Sequence, residues 1–326
     1  MWRKWLLAVC GSLLLLWAAL AIYAYWPTGE NLPVEALATA EDRFADVETV
    51  RIRYRRYGLT GADRPQLILL HGFANSLQTW RLVAPALAAC CDVIALDLPG
   101  FGLSDKPVDF DYHNDAQARR VVAFARALDL RAPIYVGHSL GGAIALQAAV
   151  IDPAARGLVL LNPGILSTGV PKIVQVTVPP LPRLSARLFA DRDFRRNFLR
   201  RSYVNPALVT DEVVDAVMLG ARSAGYLPGM TSMMRQYREG DEIPLARRVT
   251  VPTLILWGDQ DRNKPRDEAD RLRSLIGRAQ LVRFAGAGHY VHEEAPAEVA
   301  AALGEWLRAM SPPANMVAST TDDTRL

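Results

Sequence analysis

Short apolar runs alternate with amphipathic segments through most of the chain. Six such runs lie at 67–70, 93–96, 134–136, 158–161, 253–257 and 281–284. Helical patterns lie at 80–89, 115–128, 140–149, 266–276 and 296–310. Uninterrupted apolar runs are typical of parallel strands covered on both faces. The alternation therefore predicts an α/β fold with a mostly parallel central sheet and flanking crossover helices.

An earlier segment, 49–57, has the two-residue period of a strand with one polar face. Arg51, Arg53 and Arg55 alternate there with Ile52 and Tyr54. This pattern predicts an early edge strand. The residues between 31 and 45 are expected to form a linker and a short helix.

The N-terminal region departs from this alternation, because residues 5–26 carry no charge and follow Arg3 and Lys4. A helix of this length spans about 33 Å, enough for a bilayer core of roughly 30 Å. Aromatic residues lie at both ends of the run: Trp2, Trp5, Tyr23, Tyr25 and Trp26. Residues 1–30 are therefore predicted to be a single-pass membrane anchor. A cleaved signal peptide is the alternative, since Ala19-Leu20-Ala21 resembles a cleavage site.

Charge around this span predicts its orientation. Basic residues precede it, so the positive-inside rule places the rest of the chain on the non-cytoplasmic side, which is periplasmic in a bacterium. Beyond the span, the rhythm of strands and helices breaks between 165 and 248, a length that predicts an inserted helical cap. The core is then expected to comprise 31–164 and 249–310, and the polar segment 311–326 a disordered tail.

Composition excludes several functions. The net charge of +3 and the even spread of basic residues argue against a nucleic-acid partner. The three cysteines do not suggest a disulfide framework. The segment from His289 to His292 lacks further ligands at usable spacing, so neither a metal nor another cofactor is expected.

The clearest chemical motif is Gly137-His138-Ser139-Leu140-Gly141, between an apolar run and an Ala-rich helical pattern. A G-x-S-x-G sequence in this context predicts a nucleophile elbow, in which flanking glycines allow a strained turn. Ser139 is therefore the candidate nucleophile.

A serine nucleophile needs a general base and an acid that orients the base. Among the five histidines, His289 directly follows the last strand on a Gly-rich loop, and His292 is the fallback. Asp259 and Asp261 follow the fifth apolar run. Asn162 follows the fourth run, where an acid could serve, but an amide cannot supply the charge.

The same chemistry needs donors for an oxyanion. The backbone N–H groups of Phe73 and Leu140 are the candidates. Phe73 lies just after the end of the first apolar run, and Leu140 directly follows the serine. His71, Gly72 and His138 adjoin these donors and are predicted to contact substrate.

These motifs together resemble the α/β-hydrolase superfamily over residues 50–310. The matches, in order, are the segments 69–73, 97–105, 137–141, 257–261 and 288–289. The resemblance implies that Asp261 is the acid of the catalytic triad. The chain is most similar to capped esterases and monoacylglycerol-lipase-like enzymes, and similar also to meta-cleavage carbon–carbon hydrolases. Haloalkane dehalogenases and epoxide hydrolases use an aspartate nucleophile, which Ser139 argues against.

The cap pattern narrows the expected substrate. An apolar stretch at 173–184 precedes a set of basic residues, expected on a lipid-facing or solvated surface: Arg183, Arg187, Arg192, Arg195, Arg196, Arg200 and Arg201. Methionines that either line an acyl pocket or fill the core are Met218, Met230, Met233 and Met234. A small-molecule or lipid ester with a medium or long acyl chain is the expected substrate. A carbon–carbon hydrolase and a non-catalytic ligand-binding protein are the alternatives.

Overall fold

The computed structural model describes residues 2–26, 31–61, 64–168, 176–236 and 242–310. Its centre is an eight-stranded sheet with strand order β1-β2-β4-β3-β5-β6-β7-β8. The strands are β1 (Arg43–Val47), β2 (Val50–Tyr57), β3 (Gln66–Leu70), β4 (Asp92–Leu96), β5 (Pro133–His138), β6 (Gly157–Leu161), β7 (Thr253–Gly258) and β8 (Ala279–Phe284). The neighbouring pairs β1–β2 and β2–β4 are antiparallel. All further neighbouring pairs in this order, from β4–β3 to β7–β8, are parallel. The predicted fold class is confirmed.

Helices cover both faces of this sheet. They are α1 (Trp2–Tyr25), α2 (Val34–Leu37), α3 (Ala84–Leu87), α4 (Asn114–Ala127), α5 (Leu140–Ile151), α6 (Leu181–Phe189), α7 (Arg192–Ser202), α8 (Asp211–Arg222), α9 (Tyr226–Arg235), α10 (Glu242–Ala246), α11 (Glu268–Leu275), α12 (Val291–Glu294) and α13 (Pro296–Met310). Along β3, Ile68 and Leu70 pack towards α4 and α5, whereas Leu67 and Leu69 pack with α3 and α13. The sheet is therefore the middle layer of three.

Two local predictions were wrong. Residues 49–57 were expected to form the edge, but β1 pairs with the outer side of β2 and is itself the edge strand. The expected helix over 80–89 is replaced by a 3₁₀ turn at Leu77–Trp80 and the single turn of α3. Pro85 explains the second difference, because it lacks the N–H that a continuing helix needs and instead sits in the first turn of a new helix.

Arg53 also departs from the pattern. It was expected on the polar face of an edge strand, yet its side chain is fully buried. Its guanidinium lies 3.0 Å from Asp97 and 2.8 Å from Asp42. Because two carboxylates neutralise it, an arginine fits inside β2 and ties that strand to the loop after β4.

The insertion, α6 to α10 with its connecting loops, lies between β6 and β7, within the predicted cap 165–248. Part of the apolar stretch at 173–184 lies outside the described residues, as do residues 27–30 of the predicted anchor and the predicted tail at 311–326. Met230, Met233 and Met234 are buried in the main core cluster, which favours a packing role.

The N-terminal helix α1 is 24 residues long, about 36 Å, with a mean hydropathy of 2.3 over its most apolar stretch. Its length and composition are sufficient to cross a membrane, although a signal sequence passes the same test. Its C-terminal end packs on α6 of the insertion.

Candidate active site

Ser139 sits at the junction between β5 and α5. Its backbone has φ +52° and ψ −117°, a conformation that L residues rarely adopt and that costs on the order of 1–3 kcal/mol. The flanking glycines permit it, since a Cβ on Gly137 would lie 2.1 Å from the Gly141 carbonyl oxygen, and one on Gly141 2.4 Å from the Leu70 oxygen. The sharp turn leaves Ser139 half-buried at the end of the strand.

His289 and Asp261 are joined by a hydrogen bond. His289 Nδ1 lies 2.7 Å from Asp261 Oδ2, and each residue is only 8% exposed. Asp261 follows β7, and His289 follows β8, so both occupy the carboxyl edge of the sheet where β5 also ends. The arrangement holds the imidazole in one orientation beside the strand end that carries Ser139.

Three donors surround the carboxylate of Asp261. Besides His289, Asn162 Nδ2 donates to Oδ2 at 2.9 Å and Asn263 N donates to Oδ1 at 2.8 Å. Burial raises the pKa of Asp261, but the charge of His289 and these hydrogen bonds outweigh burial and hold the pKa below its usual range. Asp261 is therefore ionised at neutral pH.

Asn162 was considered in the sequence only as a position where an acid could stand. Its Oδ1 accepts from Gly258 N at 2.9 Å while its Nδ2 binds Asp261, so the amide bridges β6 and the turn after β7. The only sequence signal for this role is its place directly after a buried strand.

His138 links the turn that carries Ser139 to the loop that carries His289. Its Nε2 lies 2.9 Å from the His289 carbonyl oxygen, and its ring packs against those of His289, Tyr290 and His292. Burial, reinforced by His292 and His289, lowers its pKa well below the usual value. The neutral ring therefore packs against the loop of His289 and holds it in place.

His71 has a similar setting. Its Nδ1 lies 2.7 Å from the Gly72 carbonyl oxygen, and its Nε2 accepts from Leu98 N at 3.0 Å. Burial lowers its pKa. Since His71 and His138 are both fully buried, the structure favours a supporting role over the predicted contact with substrate.

The fallback histidine, His292, has a different partner set. Its Nε2 lies 2.7 Å from Thr79 Oγ1, which donates to Glu293 Oε1 at 2.6 Å. His292 is fully buried, and burial lowers its pKa well below the usual value. His292 therefore belongs to a separate hydrogen-bonded set, whereas His289 is the histidine bound to Asp261.

The candidate oxyanion donors flank Ser139. A Cβ added to Gly72 would lie 3.2 Å from Ser139 Cβ, so the loop carrying Gly72 and Phe73 passes directly over the serine. Within the described residues, neither the Phe73 N–H nor the Leu140 N–H donates a hydrogen bond. The Phe73 ring contacts Phe189 of the insertion, with ring centroids 5.2 Å apart. This contact connects the insertion to the loop that carries Gly72 and Phe73.

Comparison with known proteins places this geometry in context. A family model described as the alpha/beta hydrolase fold matches residues 65–296. The chain is 29% identical to the uncharacterized hydrolase YugF of Bacillus subtilis, over 80% of this chain and 96% of that protein. It is 30% identical to a 2-hydroxymuconate semialdehyde hydrolase of a Pseudomonas species, over 76% and 88%. The structure of a membrane phospholipase A, titled a bacterial virulence factor, is 25% identical and superposes with a TM-score of 0.71 over 94% of this chain and 99% of that one.

Proposed function

Because the chain belongs to the alpha/beta hydrolase fold family, we propose that it cleaves a carboxylic ester through an acyl-enzyme formed on Ser139. The observation that carries this proposal is the 2.7 Å hydrogen bond between His289 and Asp261 next to the strained serine turn. A base already oriented by a carboxylate is what a serine hydroxyl needs to attack a carbonyl.

Each residue then has a role in the reaction. Ser139 Oγ attacks the ester carbonyl while His289 Nε2 takes its proton, and the N–H groups of Phe73 and Leu140 stabilise the resulting oxyanion. His289 returns the proton to the leaving alcohol, and the acyl group remains on Ser139. Water, deprotonated by His289, then attacks the acyl carbon. His289 returns the proton to Ser139 Oγ as its bond to the acyl carbon breaks, and the carboxylic acid is released. Asp261 stays ionised and stabilises the imidazolium in both steps.

A medium or long acyl chain is the proposed substrate feature, as in a monoacylglycerol. The support is the apolar helix α1 packed on the insertion, together with the similarity to a structure titled as a membrane phospholipase A. The test compares p-nitrophenyl octanoate with p-nitrophenyl acetate in detergent. We expect a higher kcat/KM for the octanoyl ester and no turnover by Ser139→Ala. A preference for acetate would contradict the chain-length proposal.

A carbon–carbon hydrolase is the second candidate, since the chain is 30% identical to 2-hydroxymuconate semialdehyde hydrolase. Both activities use the same serine machinery. Turnover of a vinylogous diketone that exceeds the turnover of every ester in the panel would favour this candidate over the esterase.

We further propose that α1 is retained as a single-pass anchor with the hydrolase on the non-cytoplasmic side. Arg187 Nη1 on α6 donates to the carbonyl oxygens of Tyr23, at 2.8 Å, and Trp26, at 2.9 Å. An arginine at these carbonyls stabilises the C-terminal end of α1. Alkaline phosphatase fused after residue 310 in a bacterial host is expected to be active and membrane-bound. Inactive or soluble fusion protein would contradict the topology or the retention.

A further inference from the structure

Arg195, on α7 of the insertion, is the one buried arginine of a basic helix. It is 2% exposed. Its neighbours Arg192 and Arg196 point to the surface and pair with Asp211, Asp215 or Asp193. The sequence pattern had placed Arg195 on the same basic surface, and this prediction was wrong. Its burial needs a separate explanation.

The guanidinium of Arg195 has only part of its hydrogen bonding satisfied. Nη2 donates to the Ala74 carbonyl oxygen, and the guanidinium lies 5.3 Å from the centre of the Phe189 ring. Nε and Nη1 are buried and meet no acceptor within the described part of the chain. The groups that act electrostatically on it are the hydroxyls of Tyr226 and Tyr290. Burial therefore lowers the pKa of Arg195 without a described carboxylate to offset it.

A buried cation in this state is costly. Removing a guanidinium from water without a counter-charge is strongly unfavourable, and buried donors without acceptors add to the cost. An anion bound beside it supplies both the counter-charge and the missing acceptors, through charge-assisted hydrogen bonds.

Arg195 lies close to the proposed catalytic residues, so an anion bound to it would lie close to them as well. Ala74, which accepts its hydrogen bond, directly follows the proposed oxyanion donor Phe73. Tyr290 directly follows His289, and the Phe189 ring lies between Arg195 and the Phe73 ring. Arg195 therefore connects the insertion to residues that flank the proposed catalytic groups.

We propose that Arg195 binds a carboxylate or phosphate group carried by the substrate, so that the protein prefers anionic esters to neutral esters of the same size. This inference rests on the proposed esterase function. It narrows the substrate class to acyl esters with an acidic group within reach of the insertion.

The test uses two matched pairs of esters on the full-length protein in detergent. The carboxylate pair is mono-p-nitrophenyl glutarate and neutral p-nitrophenyl valerate. The phosphate pair is 1-decanoylglycerol 3-phosphate and 1-decanoylglycerol. In at least one pair, wild type is expected to show a kcat/KM at least tenfold higher for the anionic ester, and the responding pair identifies the acidic group.

Substitution assigns the preference to Arg195. The ratio of anionic to neutral kcat/KM is expected to fall at least tenfold in Arg195→Met and to stay at the wild-type value in the matched surface variant Arg196→Met. Arg195→Lys, which keeps the charge, should retain part of the preference and replaces the methionine variant if that variant does not fold. A wild-type preference for the neutral ester in both pairs, or an unchanged ratio in Arg195→Met, would overturn the proposal.

A binding measurement separates this inference from the esterase proposal. If no ester is hydrolysed, the esterase proposal fails, and the anion site is tested in Ser139→Ala by thermal melting with glutarate and with glycerol 3-phosphate. A rise in Tm that is lost in Ser139→Ala/Arg195→Met supports the site. The absence of any rise overturns it.

Discussion

Two buried arginines, one in the sheet and one in the insertion, differ in whether a carboxylate neutralises their charge. Arg53, in β2, lies between Asp97 and Asp42, and these carboxylates outweigh burial and raise its pKa. Arg195, in the insertion, has no such partner among the described residues, and burial lowers its pKa. The buried guanidinium in the sheet region is neutralised by neighbouring carboxylates, whereas that of Arg195 in the insertion has no carboxylate partner among the described residues.

The carboxylate of Asp261, at the carboxyl edge of the sheet, also has its partners within the protein. Asp261 accepts hydrogen bonds from His289, Asn162 and Asn263, so the proposed acid is fully partnered before any substrate arrives. Such preorganisation favours catalysis, because little reorganisation is needed as charge develops. Under the two proposals, the reaction takes place at the sheet edge, whereas Arg195 of the insertion selects the substrate.

The largest expected effect comes from the acid of the sheet region. Asp261→Asn keeps the shape of the site but removes the charge that orients and stabilises His289, so kcat is expected to fall about 10⁴-fold. Asp259→Asn is the matched control in the same turn, since Asp259 pairs with Arg283 on the surface. Ester hydrolysis rates measure both. Equal losses in the two variants would show that Asp261 has no special role.

A stability measurement tests the two arginines directly. Arg53→Met leaves the buried carboxylate of Asp97 without its ion-pair partner, whereas Asp42 keeps Arg55, so the free energy of unfolding is expected to fall by about 3–5 kcal/mol. Arg195→Met strands no described carboxylate and is expected to cost at most about 1 kcal/mol, for its hydrogen bond to Ala74. Urea unfolding in detergent gives both values. Similar losses of unfolding free energy in the two variants would contradict the claim that only Arg53 is neutralised by carboxylates.

Asn162 offers a smaller change at the sheet edge. Asn162→Ala removes one donor to Asp261, and kcat is expected to fall about tenfold, or about 1.4 kcal/mol in the barrier. Asn263→Ala is the control, because Asn263 binds Asp261 through its backbone N–H, which the substitution keeps. A kcat unchanged in Asn162→Ala would show that the amide only joins β6 to β7.

The same variant has an expected pH dependence. The pKa of Asp261 is lowered in the folded protein, so its carboxylate stabilises the fold above about pH 4, its unfolded value, and this contribution disappears as pH falls through the lower folded value. The loss of stability in Asn162→Ala is therefore expected to be full at pH 7 and to shrink below about pH 4. A difference that grows on acidification would contradict this assignment.

The smallest effect is expected where the insertion meets α1. Arg183 Nε donates to the Ala24 carbonyl at 3.3 Å, and Arg187 binds two carbonyls nearby. Contacts of this kind at a helix C-terminus contribute roughly 0.3–1 kcal/mol each, so Arg183→Gln/Arg187→Gln should lower Tm by about 2–4 °C. The exposed Arg200→Gln is the control. No difference between these variants would argue against docking of α1 on the insertion.

Much of the fold could be predicted, because the five strands β3 to β7 are short, buried and mostly apolar. The edge strand β1 was missed, since Arg43 to Val47 lacks an apolar run and pairs on only one side. Arg53 and Arg195 were both misplaced for one reason: burial of a charge depends on distant residues that periodicity does not show. In the candidate site, local motifs predicted Ser139 and His289, whereas the amide of Asn162 has no motif of its own.

The central claim is that Ser139 is an activated nucleophile, and a fluorophosphonate probe tests it most directly. We expect the full-length protein in detergent to form one adduct, located on Ser139 by mass spectrometry. The rate of its formation should fall at least 10³-fold in His289→Ala, and Ser139→Ala should form none. A folded wild-type protein that does not react, or an adduct on another serine, would show that Ser139 is not the activated nucleophile.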